Sequence, residues 1–243
     1  MNKTIFLNKE IEVLVVSSGG VGTTFLMDAI ADFRTINSSE NHDGFKHLPI
    51  PPLSANPTLK AIYVFGDPVM AAVSLFRRGY HHTQSHGNAK FQNFDYLIPE
   101  DLTLAEYAMQ RKDGLYFNRH FDNWLKGSGQ YPILFLKYDD IFDSLETIQK
   151  FLELPDSFVT QFTKKRERKS RLAELSAETI TGLKEMYGDH QSTILQQPGT
   201  FMVEVNTEQK GYFTNKNYRN AFKEAFFKKV PLLRKVKNKF FKS

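Results

Sequence analysis

The residues Ile11-Glu-Val-Leu-Val-Val16 run directly into Ser17-Ser-Gly-Gly-Val-Gly-Thr-Thr24, and this stretch decides the fold. The first six residues are mostly apolar and β-branched, a composition that predicts a buried strand. After the glycines, apolar residues recur at helical spacing: Phe25, Leu26, Ala29, Ile30 and Phe33. The order is therefore strand, glycine-rich loop and helix.

Two further strands are predicted at 61–65 and 131–137, because both runs are short, apolar and bounded by turn residues. Helical patterns lie around them, at 69–78, 102–111, 115–126 and 143–152. We predict loops over 36–59 and 79–99, which are mostly polar. Strands that alternate with helices predict an α/β fold with a central parallel sheet flanked by helices. Such sheets bind ligands at the carboxyl ends of their strands.

The glycine-rich loop has the composition of an anion-binding turn. Glycine allows a close approach of the backbone to a ligand, and the N–H groups that open the next helix attract an anion. The loop is not a Walker A motif, because Gly22 is followed by Thr23 and no lysine is present. A tight strand-to-helix turn is the alternative. We predict a phosphate-binding loop made of Ser18, Gly19, Gly20, Val21, Gly22, Thr23 and Thr24.

The chain has 243 residues and a formal net charge of +5, but this charge is unevenly distributed. Residues 221–243 hold eight Lys or Arg and one Glu, a net charge of +7, which leaves −2 on the other 220 residues. The absence of cysteine excludes disulfide frameworks and thiolate metal sites. No apolar run approaches the ~18 residues of a membrane span, and residues 1–10 lack the apolar region of a secretory signal. We therefore expect a cytoplasmic protein.

The basic segment at 221–243 has helical periodicity. Its apolar stripe consists of Phe222, Phe226, Val230 and Leu233, continued by Val236 and Phe240. A basic amphipathic helix with aromatic residues is typical of segments that bind an anionic membrane surface, here at the inner face. Docking on the protein body and disorder are the alternatives. We expect a domain over 1–220 followed by this tail, and no nucleic-acid partner, because no nucleic-acid-binding module is recognisable.

Four stretches, in matching order, resemble the sulfotransferases that use PAPS (3′-phosphoadenosine 5′-phosphosulfate). Residues 18–26 are similar to the family's 5′-phosphosulfate loop, and residues 62–78 to its 3′-phosphate segment. Residues 46–49, Lys-His-Leu-Pro, resemble the Lys-Thr-His-Leu-Pro segment that supplies the catalytic histidine in many members. Residues 133–141 and 148–155 resemble the family's Arg-Tyr-Glu-Asp-Leu segment and the end of the helix that follows it.

The resemblance implies a P-loop-like sulfotransferase fold and transfer of a sulfuryl group from PAPS to a hydroxyl. We expect that hydroxyl to belong to a glycan or a lipid-linked saccharide. Ser74 matches the serine that bonds the 3′-phosphate, and His47 matches the catalytic histidine. An imidazole titrates near pH 6.5, which suits a general base, and Lys46 then supplies a cation near the leaving oxygen. A structural histidine and a capping serine are the alternatives for His47 and Ser74.

Two family positions carry glycine in this chain. Gly20 stands where the family's loop has lysine or arginine, and Gly66 stands where the 3′-phosphate segment has its arginine. Losing one preorganised donor commonly costs about 2.7–4 kcal/mol of transition-state stabilisation. We assign Arg78 to donor binding as a replacement; the other candidates are Arg34, Arg77 and a basic cluster at 164–171, which is equally compatible with a solvated surface. The alternative function is a non-catalytic member that binds another phosphorylated ligand or an anionic membrane.

Three histidines lie close together in sequence, at His81, His82 and His86, but we predict no metal site. His82 and His86 have the spacing of a zinc-binding pair only on a helix, and a loop is predicted there. No cysteine and no obvious carboxylate joins them. Solvation or contact with the acceptor explains these histidines more simply.

Overall fold

The computed structural model describes residues 5–89, 96–127, 130–162 and 172–204. Within these residues, four strands form a sheet in the order β1-β2-β3-β4. The strands are β1 (Val13–Ser17), β2 (Lys60–Phe65), β3 (Ile133–Lys137) and β4 (Thr200–Val203). The three predicted strands are all present, with small differences at their ends.

β1, β2 and β3 pair in parallel, as predicted. Ser17 pairs with Val64 and Phe65 pairs with Lys137, so the carboxyl ends of the three strands lie at one edge of the sheet. β4, which the sequence analysis did not predict, pairs antiparallel with β3 and makes the sheet mixed. It has only four residues, none of them fully buried, and is therefore a weaker strand signal than β1, β2 or β3.

Eight α-helices surround the sheet in the described part of the chain. They are α1 (Thr24–Ala31), α2 (Pro68–Arg77), α3 (His81–Ala89), α4 (Leu104–Gln110), α5 (Phe117–Lys126), α6 (Leu145–Leu152), α7 (Ser157–Thr160) and α8 (Ala177–Gln196). Short 3-10 turns occupy Tyr138–Asp140, Phe142–Ser144 and Leu172–Glu174. Among the described residues, no helix combines the length and apolarity that a membrane crossing requires.

The sheet is covered on both faces because successive strand residues point to opposite sides. One face, which includes Val15 and Val64, packs against α1, α2, α4, α6 and α8. The other face, which includes Val16 and Tyr63, packs against Trp124 of α5. Burial on both sides explains why the strands have nearly continuous apolar sequences.

α2 begins with the cap that its sequence predicts. Asp67 Oδ1 accepts hydrogen bonds from the N–H groups of Val69 and Met70 at 2.8 Å and 3.1 Å, and Pro68 occupies the first helical position. The second carboxylate oxygen of Asp67 accepts a bond of 2.7 Å from Gln191 Nε2 on α8. These bonds fix the start of the helix that borders the glycine-rich loop.

α3 corrects the prediction of a loop over 79–99. Its sequence is polar and consists largely of weak helix formers. The buried residues do recur at helical spacing, but they are polar: His81, Gln84, Ser85 and Asn88. Asn88 Nδ2 donates to Leu115 O at 2.7 Å, and Ser85 Oγ accepts from Ile98 N at 3.0 Å. Because the buried face of α3 is polar and hydrogen-bonded, hydrophobic periodicity cannot reveal it.

Three sequence predictions concern residues outside the described part of the chain. They are the role of the basic cluster at 164–171, the domain boundary at 220 and the amphipathic helix at 221–243. All three stay predictions.

Candidate functional site

The loop between β1 and α1 adopts the backbone that its glycines were expected to allow. Gly19, Gly20 and Gly22 have φ values of 92°, 75° and 67°, in the region that favours glycine. A Cβ atom at Gly20 would lie 2.5 Å from the carbonyl oxygen of Ala71 on α2. A lysine therefore cannot occupy this position unless the loop or α2 moves. This close approach gives a physical reason for the first departure from the family pattern.

Lys46 brings a cation to the start of α1 from another part of the chain. Its Nζ donates hydrogen bonds to Thr24 Oγ1 at 2.8 Å and to Ser39 O at 2.5 Å. The residue is only 8% exposed. Burial lowers the pKa of Lys46, and the carboxylates of Glu40 and Asp28 act in the opposite direction. The nearly buried amine of Lys46 thus lies beside the hydroxyl of Thr24, the first residue of α1.

His47 is held through one ring nitrogen by the end of β1. Its Nδ1 lies 3.0 Å from Ser17 O and 3.4 Å from Ser17 Oγ. A carbonyl oxygen only accepts, so Nδ1 carries the proton and Nε2 keeps a lone pair. Nε2 has no hydrogen-bond partner among the described residues. Burial, with the positive charges of Lys46 and Arg78, lowers the pKa of His47 to about 4, so the imidazole is neutral at neutral pH.

α5 fixes the backbone segment that carries His47. Trp124 Nε1 donates to Leu48 O at 2.7 Å, and Asn123 Nδ2 donates to Pro49 O at 2.9 Å. These side chains hold the two residues that follow His47, while β1 holds the imidazole itself. The sequence did not reveal this role, because the acceptors are backbone carbonyls, which every residue has.

A buried polar pair lies beneath the loop. The hydroxyl of Tyr63 on β2 is 2.9 Å from His120 Nδ1 on α5, and both residues are 1% exposed. Burial raises the pKa of Tyr63, and a hydrogen bond with the Ser18 side chain opposes that rise. Burial also lowers the pKa of His120 to about 3, so both groups are neutral at pH 7. Ser18, which was predicted to bind the donor, therefore contacts this buried pair through Tyr63.

A cavity of about 560 Å³ opens beside the loop, within the usual size range of small-molecule sites. It brings together five of the predicted site residues: Gly20, Thr24, Lys46, His47 and Arg78. The other predicted site residues do not line it: Ser18, Gly19, Val21, Gly22, Thr23 and Ser74. The rest of the lining includes Glu40, Asn41, Asp43, Tyr80, Thr83 and Gln84. Thr83 and Gln84 belong to α3, so the unpredicted helix forms part of the site.

The three candidate replacement arginines in the described part of the chain have different environments. The Arg34 guanidinium donates to Leu152 O at 3.2 Å and to Glu153 O at 2.8 Å, so it caps the end of α6. Arg77 lines a separate cavity of about 350 Å³. Of these three, Arg78 alone lines the cavity that contains His47.

α3 places His82 and His86 on a helix, at the spacing that a metal-binding pair requires. Each Nδ1 donates to a backbone carbonyl, from His82 to Ile98 O at 2.9 Å and from His86 to His82 O at 3.0 Å. Residues 5–89, 96–127, 130–162 and 172–204 contain no group of three or more side chains that could hold a metal ion. The pair therefore gains no third ligand from these residues.

The residues at the start of α1 fit the phosphosulfate end of PAPS. Thr23 occupies the N-cap position but makes no side-chain capping hydrogen bond. An uncapped helix N-terminus favours an anion, and the positive-φ loop allows one to approach the backbone. The Lys46 amine adds a hydrogen-bond donor at Thr24. The loop, the helix start and Lys46 are therefore arranged as an anion site.

Comparison with known proteins identifies the family of this chain. The family described as "Sulfotransferase domain" matches residues 11–229. Among solved structures, the mouse sulfotransferase SULT7A1, complexed with PAP (3′-phosphoadenosine 5′-phosphate), is 19% identical over 93% of this chain and 86% of that chain, with a TM-score of 0.39. No curated protein sequence gives a significant match. The family assignment confirms the predicted enzyme class and its PAPS donor. The chain belongs to the sulfotransferase domain family.

Proposed function

We propose that the chain transfers a sulfuryl group from PAPS to a hydroxyl of a saccharide, free or lipid-linked, with His47 as the general base. One observation carries the proposal. His47 is held on Ser17 in the tautomer that leaves Nε2 unprotonated, and it lines the same cavity as Lys46 and Thr24. A base and an anion site thus lie together at the carboxyl end of β1.

The donor side consists of the loop backbone, the hydroxyl of Thr24, and Lys46. PAPS supplies the sulfuryl group, which is held by an anhydride bond to its 5′-phosphate. Lys46, whose pKa is lowered by burial, becomes more strongly protonated beside this anion, because an opposite charge favours the ammonium form. The ammonium then stabilises negative charge that develops at the phosphate end.

His47 accepts the proton of the acceptor hydroxyl at Nε2. The oxygen of that hydroxyl forms the new bond to sulfur as the bond between sulfur and the phosphate oxygen breaks. The hydrogen bond from Nδ1 to Ser17 O keeps the ring in one orientation and stabilises the charge that the imidazole gains. Ser17, at the end of β1, therefore positions the base.

The acceptor side of the cavity has the chemistry of a sugar site. Asn41, Thr83 and Gln84 offer hydrogen-bond donors and acceptors for hydroxyls, and Tyr80 offers an aromatic ring. Tyr80 is 57% exposed, so its ring is available for contact. These features support a saccharide over a wholly apolar acceptor.

The basic segment at 221–243 supports a location at an anionic membrane surface, where a lipid-linked saccharide is found. Its net charge of +7 and its aromatic stripe carry this part of the proposal. Sedimentation with phosphatidylglycerol vesicles tests it in the full chain. Changing Lys235, Lys237, Lys239 and Lys242 to Gln is expected to abolish binding, whereas changing Lys9, Lys112, Lys126 and Lys184 is expected to preserve it. Equal binding by both variants contradicts the membrane proposal.

Transfer of radiolabelled sulfur from PAPS to a panel of oligosaccharides tests the reaction. Labelled saccharide is expected with the wild-type chain and with His42→Asn, because His42 is exposed and does not line the cavity. His47→Asn is expected to abolish the product. Transfer to phenols or amines but to no saccharide contradicts the acceptor class, and transfer that survives His47→Asn contradicts the role of His47.

A further inference from the structure

Arg78, the residue that follows α2, lines the cavity that contains His47. Its Nε donates to Ser74 O at 3.2 Å, which anchors the inner part of the guanidinium. The guanidinium carbon also lies 5.3 Å from the centroid of the Tyr80 ring, a cation–π contact. The residue is exposed, and these two contacts restrict the orientation of its guanidinium.

The cavity's acidic residues leave the Arg78 charge uncompensated. No carboxylate lies within ion-pair distance of Arg78 among the described residues. Both oxygens of Asp43 accept backbone N–H bonds, from Ser38 at 2.6 Å and from Phe45 at 3.0 Å. The negative charge of Glu40 interacts with Lys46 and raises the pKa of that amine. A guanidinium with two available nitrogens favours a bidentate anion.

Arg78 lines the cavity, whereas the two residues matched to the donor's 3′-phosphate do not. Those residues are Ser74 and Gly66. Gly66 lines a separate space of about 10 Å³. Arg78, in contrast, shares the cavity with Tyr80, Thr83 and Gln84.

We propose that Arg78 binds an anionic group on the acceptor, a carboxylate or a sulfate ester of the saccharide, and so selects acidic over neutral sugars. The proposal rests on the proposed function and replaces the expected role of Arg78 in donor binding. It assigns the cavity's remaining unpaired cation to the acceptor, while Lys46 serves the donor. Acceptors therefore carry a negative charge next to the sugar ring whose hydroxyl reaches His47.

Binding of four small sugars to the full chain saturated with PAP tests the proposal. The probes are methyl glucuronide and glucose 6-sulfate, each compared with methyl glucoside, and methyl galactoside as a second neutral sugar. The readout is the NMR shift of the Arg78 Nε–Hε signal during titration. The wild-type chain is expected to bind both anionic sugars at least about tenfold more tightly than the neutral ones, as a charge-assisted contact requires. Those titrations are expected to shift the Arg78 signal.

Variants of the two neighbouring arginines provide the matched control. Arg78→Gln is expected to remove the preference for anionic sugars, and Arg78→Lys to keep part of it. Arg77→Gln removes the same charge one residue away, where the side chain lines another cavity, and is expected to keep the full preference. PAP affinity is expected to be the same in all three variants.

Three results overturn the proposal. The first is equal affinity of the wild-type chain for anionic and neutral sugars, and the second is a preference for anionic sugars that survives Arg78→Gln. The third is a loss of PAP affinity in Arg78→Gln, which would mean that Arg78 binds the donor. If Arg78→Gln does not fold, the wild-type preference, the Arg78 signal and Arg78→Lys still decide the question. Failure of the proposed function itself appears separately, as absence of sulfur transfer from labelled PAPS.

Discussion

Lys46 Nζ donates a hydrogen bond of 2.8 Å to Thr24 Oγ1, which joins the segment before His47 to the first residue of α1. This bond places a cation at the anion site although the loop itself contains none. The loop cannot easily hold one, because Gly20 is packed against the Ala71 backbone of α2. Under the proposed function, Lys46 supplies from another part of the sequence the cation that the family places in the loop.

Removing the Lys46 charge is expected to weaken PAP binding. Lys46→Met loses a charge-assisted hydrogen bond, so the Kd for PAP is expected to rise roughly 10- to 100-fold, and Lys46→Arg is expected to recover part of the loss. Calorimetric titration measures both. Lys126→Met, which removes an exposed lysine paired with Asp122, serves as control. An unchanged Kd in Lys46→Met excludes Lys46 from the donor site.

His47→Asn is expected to separate catalysis from donor binding. Loss of the general base is expected to lower kcat by about 10²–10⁴-fold. The Kd for PAP is expected to change little, because His47 bonds to Ser17 and not to the loop hydroxyls. Steady-state kinetics and calorimetry on one preparation measure the two quantities. A parallel loss of PAP binding indicates that His47 is structural.

A methyl group at Gly20 is expected to disturb the loop. Gly20→Ala places a Cβ 2.5 Å from Ala71 O at a residue with φ of 75°. Gly79→Ala is the matched control. Gly79 has a φ of 70°, and nothing lies within 4 Å of the position that its Cβ would occupy. Both variants carry the cost of a left-handed conformation, about 1–2 kcal/mol, but only Gly20→Ala is expected to lose PAP affinity. Thermal unfolding and PAP titration together separate these effects.

The protonation of His47 is expected to depend on the donor product. In the free chain, burial and the neighbouring cations hold the pKa of His47 at about 4. The negative charge of bound PAP favours the imidazolium, so the pKa is expected to rise when PAP binds. NMR titration of the ring protons, assigned with His47→Asn, measures this shift. A pKa that stays constant places the nucleotide phosphate away from His47.

The chain is expected to lose stability as the pH falls from about 6.5 towards 4. Burial lowers the pKa of His47, His120 and His190 to about 4, 3 and 4. At a pH below about 6.5 but above these lowered pKa values, each histidine is protonated in the unfolded chain and neutral in the folded one. The free energy of unfolding therefore falls as pH falls, by up to about 1.4 kcal/mol per pH unit for each histidine.

Burial raises the pKa of Asp113, which acts in the opposite direction, because the folded chain then holds the extra proton. Urea unfolding between pH 7 and pH 5 measures the net slope. His190→Asn is expected to reduce the slope, and His42→Asn, at an exposed position, is expected to leave it unchanged. A free energy of unfolding that is constant between pH 7 and pH 5 contradicts the buried neutral histidines.

Apolar periodicity predicted the elements that have apolar buried faces. β1, β2, β3, α1 and α2 all bury such residues, and their order alone placed the loop at the carboxyl edge of the sheet. Asp67 and Pro68 marked the start of α2 because capping depends on local sequence. α3 escaped detection because its buried face is made of Gln84, Ser85 and Asn88.

The candidate site was predictable where residue type defines the chemistry. His47, Lys46 and the loop were identified from their residue types and the family pattern, and the fold brings them to one cavity. The bond from Lys46 to Thr24 was not predictable, since it joins segments 22 residues apart. The support that Trp124 gives to the backbone after His47 was also hidden, because it spans 76 residues and ends on a carbonyl.

Calorimetric titration of the full chain with PAP tests most directly whether the glycine-rich loop and Lys46 form a donor site. A single site per chain is expected, with a Kd in the micromolar range or tighter, and Lys46→Met is expected to weaken it. Absence of binding at millimolar PAP contradicts the donor site, and so does binding that Lys46→Met leaves unchanged.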